Sequence, residues 1–312
     1  QEREIGRIFR AFDENGIDYL PLKGCNMKSL YPKPELRMMG DADVLIRLEQ
    51  YERIIPVLES LGFSPETESD HELVWTSESL CLELHKRLIP SYNKDLSPYF
   101  GDGWLLAKPS GGSRYDMEPV DEWIFLFTHF AKHYRDGGIG CRHVVDLWVY
   151  LKAHPDLKQK KVRETLEKLQ LLEFYENILD LICFWFEDGS GNEKLEYISE
   201  YIFSSGSWGA GSSRVLSRAV RDTNHVLPGV SGRMVYIWQN LFPGVAILRD
   251  KYTILKKRPW MLPLVWLIRP FYKVLFERKT LGKQKQNLDA LSEDNVENRR
   301  KLLNYVGLDY NF

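Results

Sequence analysis

Asp41 and Asp43 stand two apart in Asp41-Ala42-Asp43-Val44-Leu45-Ile46, a stretch polar at its start and apolar at its end. This is the pattern of a strand whose N-terminal end reaches a solvent cleft. Residues two apart on a strand project from the same face, roughly 7 Å from each other. Two carboxylates aimed at one point repel unless a cation lies between them, and oxygen ligands suit hard divalent ions such as Mg²⁺ or Mn²⁺. Glu83 belongs to a second strand pattern over residues 80 to 88, where Leu80, Leu82 and Leu84 alternate with Cys81, Glu83 and His85, so that it can reach the same edge. Three acids from two strands can hold two metal ions, one activating an attacking hydroxyl and one stabilising leaving phosphate oxygens. Upstream, Lys23-Gly24 joins a strand to a helix, and such a turn offers backbone N–H groups to phosphate with a lysine close by. Each element alone has a plainer reading, as a solvated strand end, a surface glutamate or an ordinary turn.

The elements that must position these residues follow from apolar spacing and breakers. Ile5, Ile8, Phe9 and Phe12 predict a helix over residues 2 to 15, ended by Asn15-Gly16. A short strand is expected over residues 18 to 22, a short helix over 26 to 31 closed by Pro32 and Pro34, and a strand over 41 to 46. A helix over 49 to 61 ends at Gly62, and strands follow at 72 to 76 and 80 to 88. After the Gly/Pro/Ser-rich stretch from Pro109 to Ser113 the pattern is helical, at 119 to 134, 141 to 153, 158 to 171 and 173 to 187, with a polar helix around 283 to 305. The expected fold is α+β: a small mixed-sheet domain over residues 1–117, a mostly helical domain over 118–240, and a basic, aromatic-rich helical region over 241–312.

Composition bounds the partners. The 312 residues are 44% hydrophobic and 13% aromatic, which excludes a disordered chain. Forty-two basic and 44 acidic side chains leave a net charge of −2, but residues 249 to 285 hold eleven Lys/Arg against two acids, a local +9. Four scattered cysteines, Cys25, Cys81, Cys141 and Cys183, without a CxxC, predict reduced thiols in a cytoplasmic protein. No signal-peptide pattern is visible, and because the chain opens on Gln1 a short native N-terminus is expected to precede it. The longest apolar run near the C-terminus, Trp260 to Ile268, is broken by Pro263 and falls short of the ~20 residues of a membrane span.

The ordered motifs together resemble a known family. Leu20-Pro21-Leu22-Lys23-Gly24, then Tyr31, then Arg37-Met38-Met39-Gly40-Asp41-Ala42-Asp43-Val44-Leu45-Ile46, looks like the signature of the uncharacterised bacterial nucleotidyltransferase family within the DNA polymerase beta superfamily. Leu82-Glu83-Leu84-His85 resembles that family's strand bearing a third acid. His129-Phe130-Ala131-Lys132-His133, Gly137 to Arg142, Asp146-Leu147-Trp148 and the Lys256 to Pro263 segment extend the similarity to about residue 278. The resemblance implies metal-dependent transfer of a nucleoside monophosphate from an NTP, ATP among them, to a hydroxyl-type acceptor, with pyrophosphate released. It implies Asp41, Asp43 and Glu83 as metal ligands and catalytic acids, with Glu83 also helping to deprotonate the acceptor. Lys23, Gly24 and Arg37 are implied as nucleotide-binding residues. Ala42 and Val44 replace the family's usual larger residues between and after the acids, while both acids survive.

His129, Lys132 and His133 share one helical face, and Arg142 and Asp146 share another beyond the glycine-rich Asp136 to Gly140 loop. With His85, the residues Lys132, His133, Arg142 and Asp146 are substrate or phosphate candidates. An equally good reading is a helical hairpin with a tight glycine turn and an internal Arg142–Asp146 ion pair. The two histidines have no further Cys or acid at zinc-ligand spacing, so no zinc site is expected. The basic tail fits an anionic membrane surface, a nucleic acid, or, most plainly, an acidic body of the same protein against which its apolar face packs. Three functions follow: a nucleotidyltransferase acting on a small molecule, a protein, a peptide or an RNA end; a catalytically silent nucleotide-binding or regulatory module on the same fold; and a membrane-associated enzyme placed by the tail.

Overall fold

The computed structural model describes residues 1–205, 215–217, 219–220, 232–248, 252, 254–276, 288 and 291–309. Helix α1 (Glu2–Glu14) ends where Asn15 caps it, and Gly16 turns the chain at φ 58° into β1 (Tyr19–Pro21). Helix α2 (Gly24–Met27) starts at the Lys23-Gly24 turn, two residues earlier than expected, and runs on as a short 3₁₀ turn over residues 28 to 30. Then come β2 (Asp41–Ile46), α3 (Tyr51–Ser60), β3 (Ser64–Glu68), β4 (Glu72–Thr76) and β5 (Cys81–His85). A one-turn helix α4 (Ser97–Phe100) leads to β6 (Ala107–Gly111) and β7 (Arg114–Met117). The helical part holds α5 (Pro119–Asp136), α6 (Cys141–Ala153), α7 (Gln159–Lys168), α8 (Leu172–Phe186) and α9 (Glu193–Ser204).

Among the described residues seven strands form one mixed sheet in the order β3-β4-β5-β2-β1-β7-β6. Central β2 runs parallel to β5 and antiparallel to β1. Its inward positions Ala42, Val44 and Ile46, with Leu82 and Leu84 of β5, are fully buried in one core with Ile8 and Phe12 of α1 and Ile54 and Leu58 of α3. A fully buried side chain of this size contributes about 1.5–3 kcal/mol, so this layer holds β2 and β5 rigidly in register. Because side chains alternate, Asp41, Asp43 and Leu45 face the other way. On that second face Leu45 packs beside Leu88 against Gly103, whose backbone has φ 94° and where an added Cβ would stand 2.6 Å from Leu88.

Two strand assignments differ from the sequence expectation. Residues 109 to 113, read as a break, are the end of β6 and the two-residue β6–β7 turn, and β7 adds to the free edge of β1 through the Tyr19 N–H to Ser113 carbonyl bond of 3.0 Å. Strand β3 escaped because all five of its side chains are exposed, leaving no alternation to read.

The chain forms two compact units, one built mainly from residues 1–132 and 141–195, the other from 133–140 and 196–310. The strand-to-helix change after Met117 thus lies inside the first unit, where Trp123 stacks on Tyr150 and Phe130 on Phe174. In the second unit are α10 (Gly232–Leu241), α11 (Val245–Leu248), α12 (Ile254–Lys257), α13 (Leu262–Phe276) and α14 (Glu293–Tyr305). Buried Arg299 of α14 donates to the Tyr134 and Arg135 carbonyls and, at 2.6 Å, to the Tyr201 hydroxyl. Helix α14 begins only at Glu293, since Ser292 caps it by accepting from the Asn295 N–H; residues 283–287 of the helix expected there lie outside the described residues. So do Arg249, Lys251, Arg278, Lys279, Lys283 and Lys285 of the basic stretch. All four cysteines are free thiols, and no described helix is long and apolar enough to cross a membrane.

Candidate active site

The parallel register sets Asp41 opposite Cys81, Asp43 opposite Glu83 and Leu45 opposite His85, so both acids of β2 and the acid of β5 share the sheet face turned away from α1 and α3. Asp43, Glu83 and His85 each bring a ligand atom within 4.8 Å of the other two. Asp41 lies on the same face one pleat nearer the strand end and is not part of that closest group. The donor set, carboxylate oxygens with one imidazole nitrogen, fits a divalent cation of the Mg²⁺ or Mn²⁺ type.

Electrostatics show what the cluster needs. Burial, then repulsion from Asp43 and Glu83, pushes the Asp41 carboxyl up to about 6. For Asp43, burial acts upward, but the Lys23 ammonium and His85 outweigh it and hold the carboxyl well below the usual carboxylate range. Lys23 Nζ donates to Asp43 Oδ1 at 2.6 Å, and His85 Nε2 meets the same oxygen at 2.8 Å. An ionised carboxylate only accepts, so Nε2 carries the proton there. Burial and Lys23 pull the His85 pKa down, yet its bonds to Asp43 and Glu83 leave it raised. Buried Nδ1 of His85 has no hydrogen-bond partner among the described residues. The acids are thus short of positive charge even with a lysine and a histidine at hand.

Lys23 is held in place by its backbone as well as its side chain. It precedes α2 at φ 43° and ψ −112°, a conformation an L-residue adopts only at a cost of about 1–3 kcal/mol. Behind the turn, a Cβ on Gly24 would stand 2.6 Å from Met39 Sδ and 2.8 Å from Arg37 Nη1. Met39 can shift; Arg37 cannot, because Nε and Nη2 form a two-pronged pair with Asp146 at 2.8 Å each. Tyr31 donates to the same carboxylate at 2.6 Å. Gly24→Ala is therefore expected to destabilise the fold by about 1–3 kcal/mol. Urea unfolding checks this, and full recovery in a Met39→Ala background would show that the thioether is the sole obstruction.

The structure arranges the other sequence candidates differently. Asp146, for which a pair with Arg142 one turn away is one of two sequence readings, binds Arg37 and Tyr31, and Arg142 Nη1 donates to the Met38 carbonyl at 3.1 Å. A bidentate partner from the β2 approach offers Asp146 better geometry than a solvent-facing neighbour on its own helix. Arg37 is 6% exposed, and its remaining nitrogen, Nη1, is buried beside Gly24 without a partner among the described residues. Lys132 is buried in the first unit, while His133 and the glycine loop belong to the second. In that loop an added Cβ on Gly138 would come within 2.3 Å of Ser205 Oγ, so the glycine serves close packing onto α9. His129 is half-buried with its ring 6.1 Å from Phe125.

Sequence reasoning passed over two groups next to the cluster. Glu72 sits opposite His85 across the β4–β5 pair, His71 lies 6.1 Å from the His85 ring, and His71 pairs with Glu72 at 3.0 Å. The alternation of β4 placed Glu72 on this face, but only the register shows which residue it meets. On the α2 side, Asn26 and Tyr150 both donate to Glu122, whose carboxyl burial pushes upward despite them.

No curated protein matches the chain. Among solved structures, the antibiotic-resistance factor ANT(2'')-Ia, known from a solution structure, overlaps 55% of this chain and 88% of its own length at 13% identity and a TM-score of 0.39. The model of an uncharacterised nucleotidyltransferase family matches residues 1–187, which takes in every strand of the sheet, the acid cluster and the Arg37–Asp146 pair, and the chain belongs to that family.

Proposed function

We propose that the protein transfers a nucleoside monophosphate from an NTP to a hydroxyl of a small-molecule, protein or peptide acceptor, using a divalent cation held by Asp41, Asp43 and Glu83. The observation that carries this reading is the convergence of Asp43, Glu83 and His85 beside the Lys23-Gly24 turn, with Asp41 raised by burial and then by the charge of its neighbours. A bound divalent cation supplies positive charge for the triphosphate and for the oxygens that change charge in the transfer.

The chain's own residues do the rest. The Lys23 ammonium at the head of the α2 turn is the group for the phosphates, since the Cys25, Asn26 and Met27 N–H groups already donate to the Leu22 and Lys23 carbonyls. Lys23 neutralises Asp43 while the site waits, and it must release that carboxylate for Asp43 to act as a ligand. Glu83, 22% exposed and the most open of the closest group, is placed to take the acceptor proton as the acceptor oxygen attacks the α-phosphorus. The bond from the α-phosphorus to the bridging oxygen then breaks, and pyrophosphate carries away the electron pair. Arg37 holds the turn through Gly24 and has one nitrogen left for an anion. The acceptor enters from the open end of β2 and β5.

Pyrophosphate release is the test, with NTP, Mg²⁺ or Mn²⁺ and a panel of hydroxyl acceptors. Binding is tested first: NTP with Mg²⁺ at about a hundred times its Kd is expected to stabilise the fold by about 2.7 kcal/mol. Glu83→Gln should keep much of this shift while losing turnover. An unchanged melting temperature across NTP and Mg²⁺ concentrations would sink the reading. A shift without product in any acceptor would favour a silent nucleotide-binding module.

A further inference from the structure

Two helices of the second unit carry apolar stripes on their outer faces. Helix α10 exposes Ile237, Trp238 and Leu241, spaced as neighbours along one side of a helix, with Trp238 66% exposed. Helix α13 exposes Leu264, Leu267 and Ile268 in the same spacing, and Trp260, in the turn just before it, is 74% exposed. Helix α13 turns Val265 inward to a cluster with Leu248 and Leu255, while Leu264, Leu267 and Ile268 are exposed. The two helices are pinned together at one corner, where Phe242 contacts both Trp238 and Trp266 and Trp266 Nε1 donates to the Pro243 carbonyl at 2.9 Å.

A soluble monomer rarely exposes so much contiguous aliphatic and indole surface without a use for it. Charge decides which use. Lys257 and Arg258, both exposed, immediately precede Trp260, and the segment from 249 to 285 has eleven basic residues against two acidic ones. A second copy of this chain would bring a second Lys257 and Arg258 to the contact, and like charges oppose it. Nucleic acid would use the cations and aromatic rings but has no partner for Leu264, Leu267 and Ile268. An anionic lipid surface uses all three classes: aliphatic side chains enter the acyl boundary, tryptophans sit at headgroup level, and lysine and arginine meet the lipid charge. No described helix can cross a bilayer, so contact would be parallel to the surface.

We propose that the exposed faces of α10 and α13, with Lys257 and Arg258, form a seat for an anionic lipid surface. The proposal does not depend on the chemistry at Asp43.

Co-sedimentation of the full chain with vesicles tests it. Phosphatidylcholine vesicles containing phosphatidylglycerol are expected to bind at least about tenfold more tightly than phosphatidylcholine alone, with binding lost at high salt. Tryptophan emission should shift to the blue on binding, reporting Trp238 and Trp260. Leu264→Ser/Leu267→Ser/Ile268→Ser should abolish binding, and so should Lys257→Glu/Arg258→Glu. Because all five side chains point outward, melting profiles should stay unchanged; should the triple variant melt early, Trp238→Ser/Trp260→Ser takes its place. No binding to anionic vesicles, equal binding to neutral ones, or a stable dimer whose formation buries the two tryptophans would overturn the proposal.

Discussion

Asp41→Asn is expected to make the protein more stable at neutral pH while crippling nucleotidyl transfer, whereas Asp43→Asn is expected to lower both stability and transfer. The two acids differ in the company they keep. Asp41 titrates at about 6 in the fold, above the value near 4 of an unfolded carboxylate, because burial and its acidic neighbours oppose its charge. The folded state therefore holds more protons between those two values. Stability falls as pH rises from about 4 to 6 and stays lower above, so an uncharged amide at this position gains about 1–2 kcal/mol at pH 8 once partial exposure is allowed for. Asp43 has the opposite sign. Its folded value lies below the unfolded one, so its contribution is present above pH 4 and is lost as pH falls towards the folded value. Asp43→Asn leaves the Lys23 ammonium and His85 without their anion, a loss of about 3 kcal/mol for a broken buried pair. On the proposed function, losing either carboxylate should lower kcat by on the order of a thousandfold, since the charge stabilisation at stake is several kcal/mol. Urea unfolding at pH 5 and pH 8, beside pyrophosphate release, separates the cases. A destabilised Asp41→Asn at pH 8 would refute the electrostatic account of the site.

Asp146→Ala is expected to cost about 3–5 kcal/mol although Asp146 is remote in sequence from every acid of the cluster. Its carboxylate accepts from Arg37 twice and from Tyr31 once, and both Arg37 and Asp146 are nearly fully buried. Removing it strands a guanidinium that already has one buried nitrogen unsatisfied. Tyr31→Phe, which removes one hydrogen bond to a charge, should cost only about 1.5–3 kcal/mol. Arg37→Met/Asp146→Leu should recover much of the loss, because an apolar pair of similar volume avoids burying charge. The double-mutant cycle is expected to show strong coupling. NTP affinity should still fall in the recovered variant, because Gly24 loses the rigid side chain that backs its turn. Unchanged affinity would restrict Arg37 to holding the fold.

How much of this was legible in the sequence depended on whether the signal was local. Strands β2 and β5 announced themselves because one face is apolar at every second residue, and that alternation also put Asp41, Asp43 and Glu83 on one face. Helices α5 to α8 were legible for the same reason at the helical period. Strand β3 was hidden by having no buried face, and the β6–β7 hairpin by the glycine, proline and serine that also mark linkers. Arg142 and Asp146 looked like a pair because local spacing allows it, while the true partner of Asp146 stands 109 positions away and leaves no trace at short range. His85 was visible as a residue, but its bond to Asp43 depends on strand register, which periodicity does not fix.

The contact of Lys23 with Asp43 has a thermodynamic consequence. If Asp43 holds the proposed cation, a site that rests with its own counter-ion would bind it by exchange, and the intrinsic affinity of Asp43 for the cation would be reduced by the strength of the bond the lysine gives up. Phosphate that draws the ammonium away removes that handicap, and a cation that occupies the carboxylate frees the ammonium for phosphate. Each ligand therefore raises the affinity for the other by the same factor. Titrating NTP at several Mg²⁺ concentrations should give a steep mutual dependence, and Lys23→Met should flatten it while making the free cation bind more tightly.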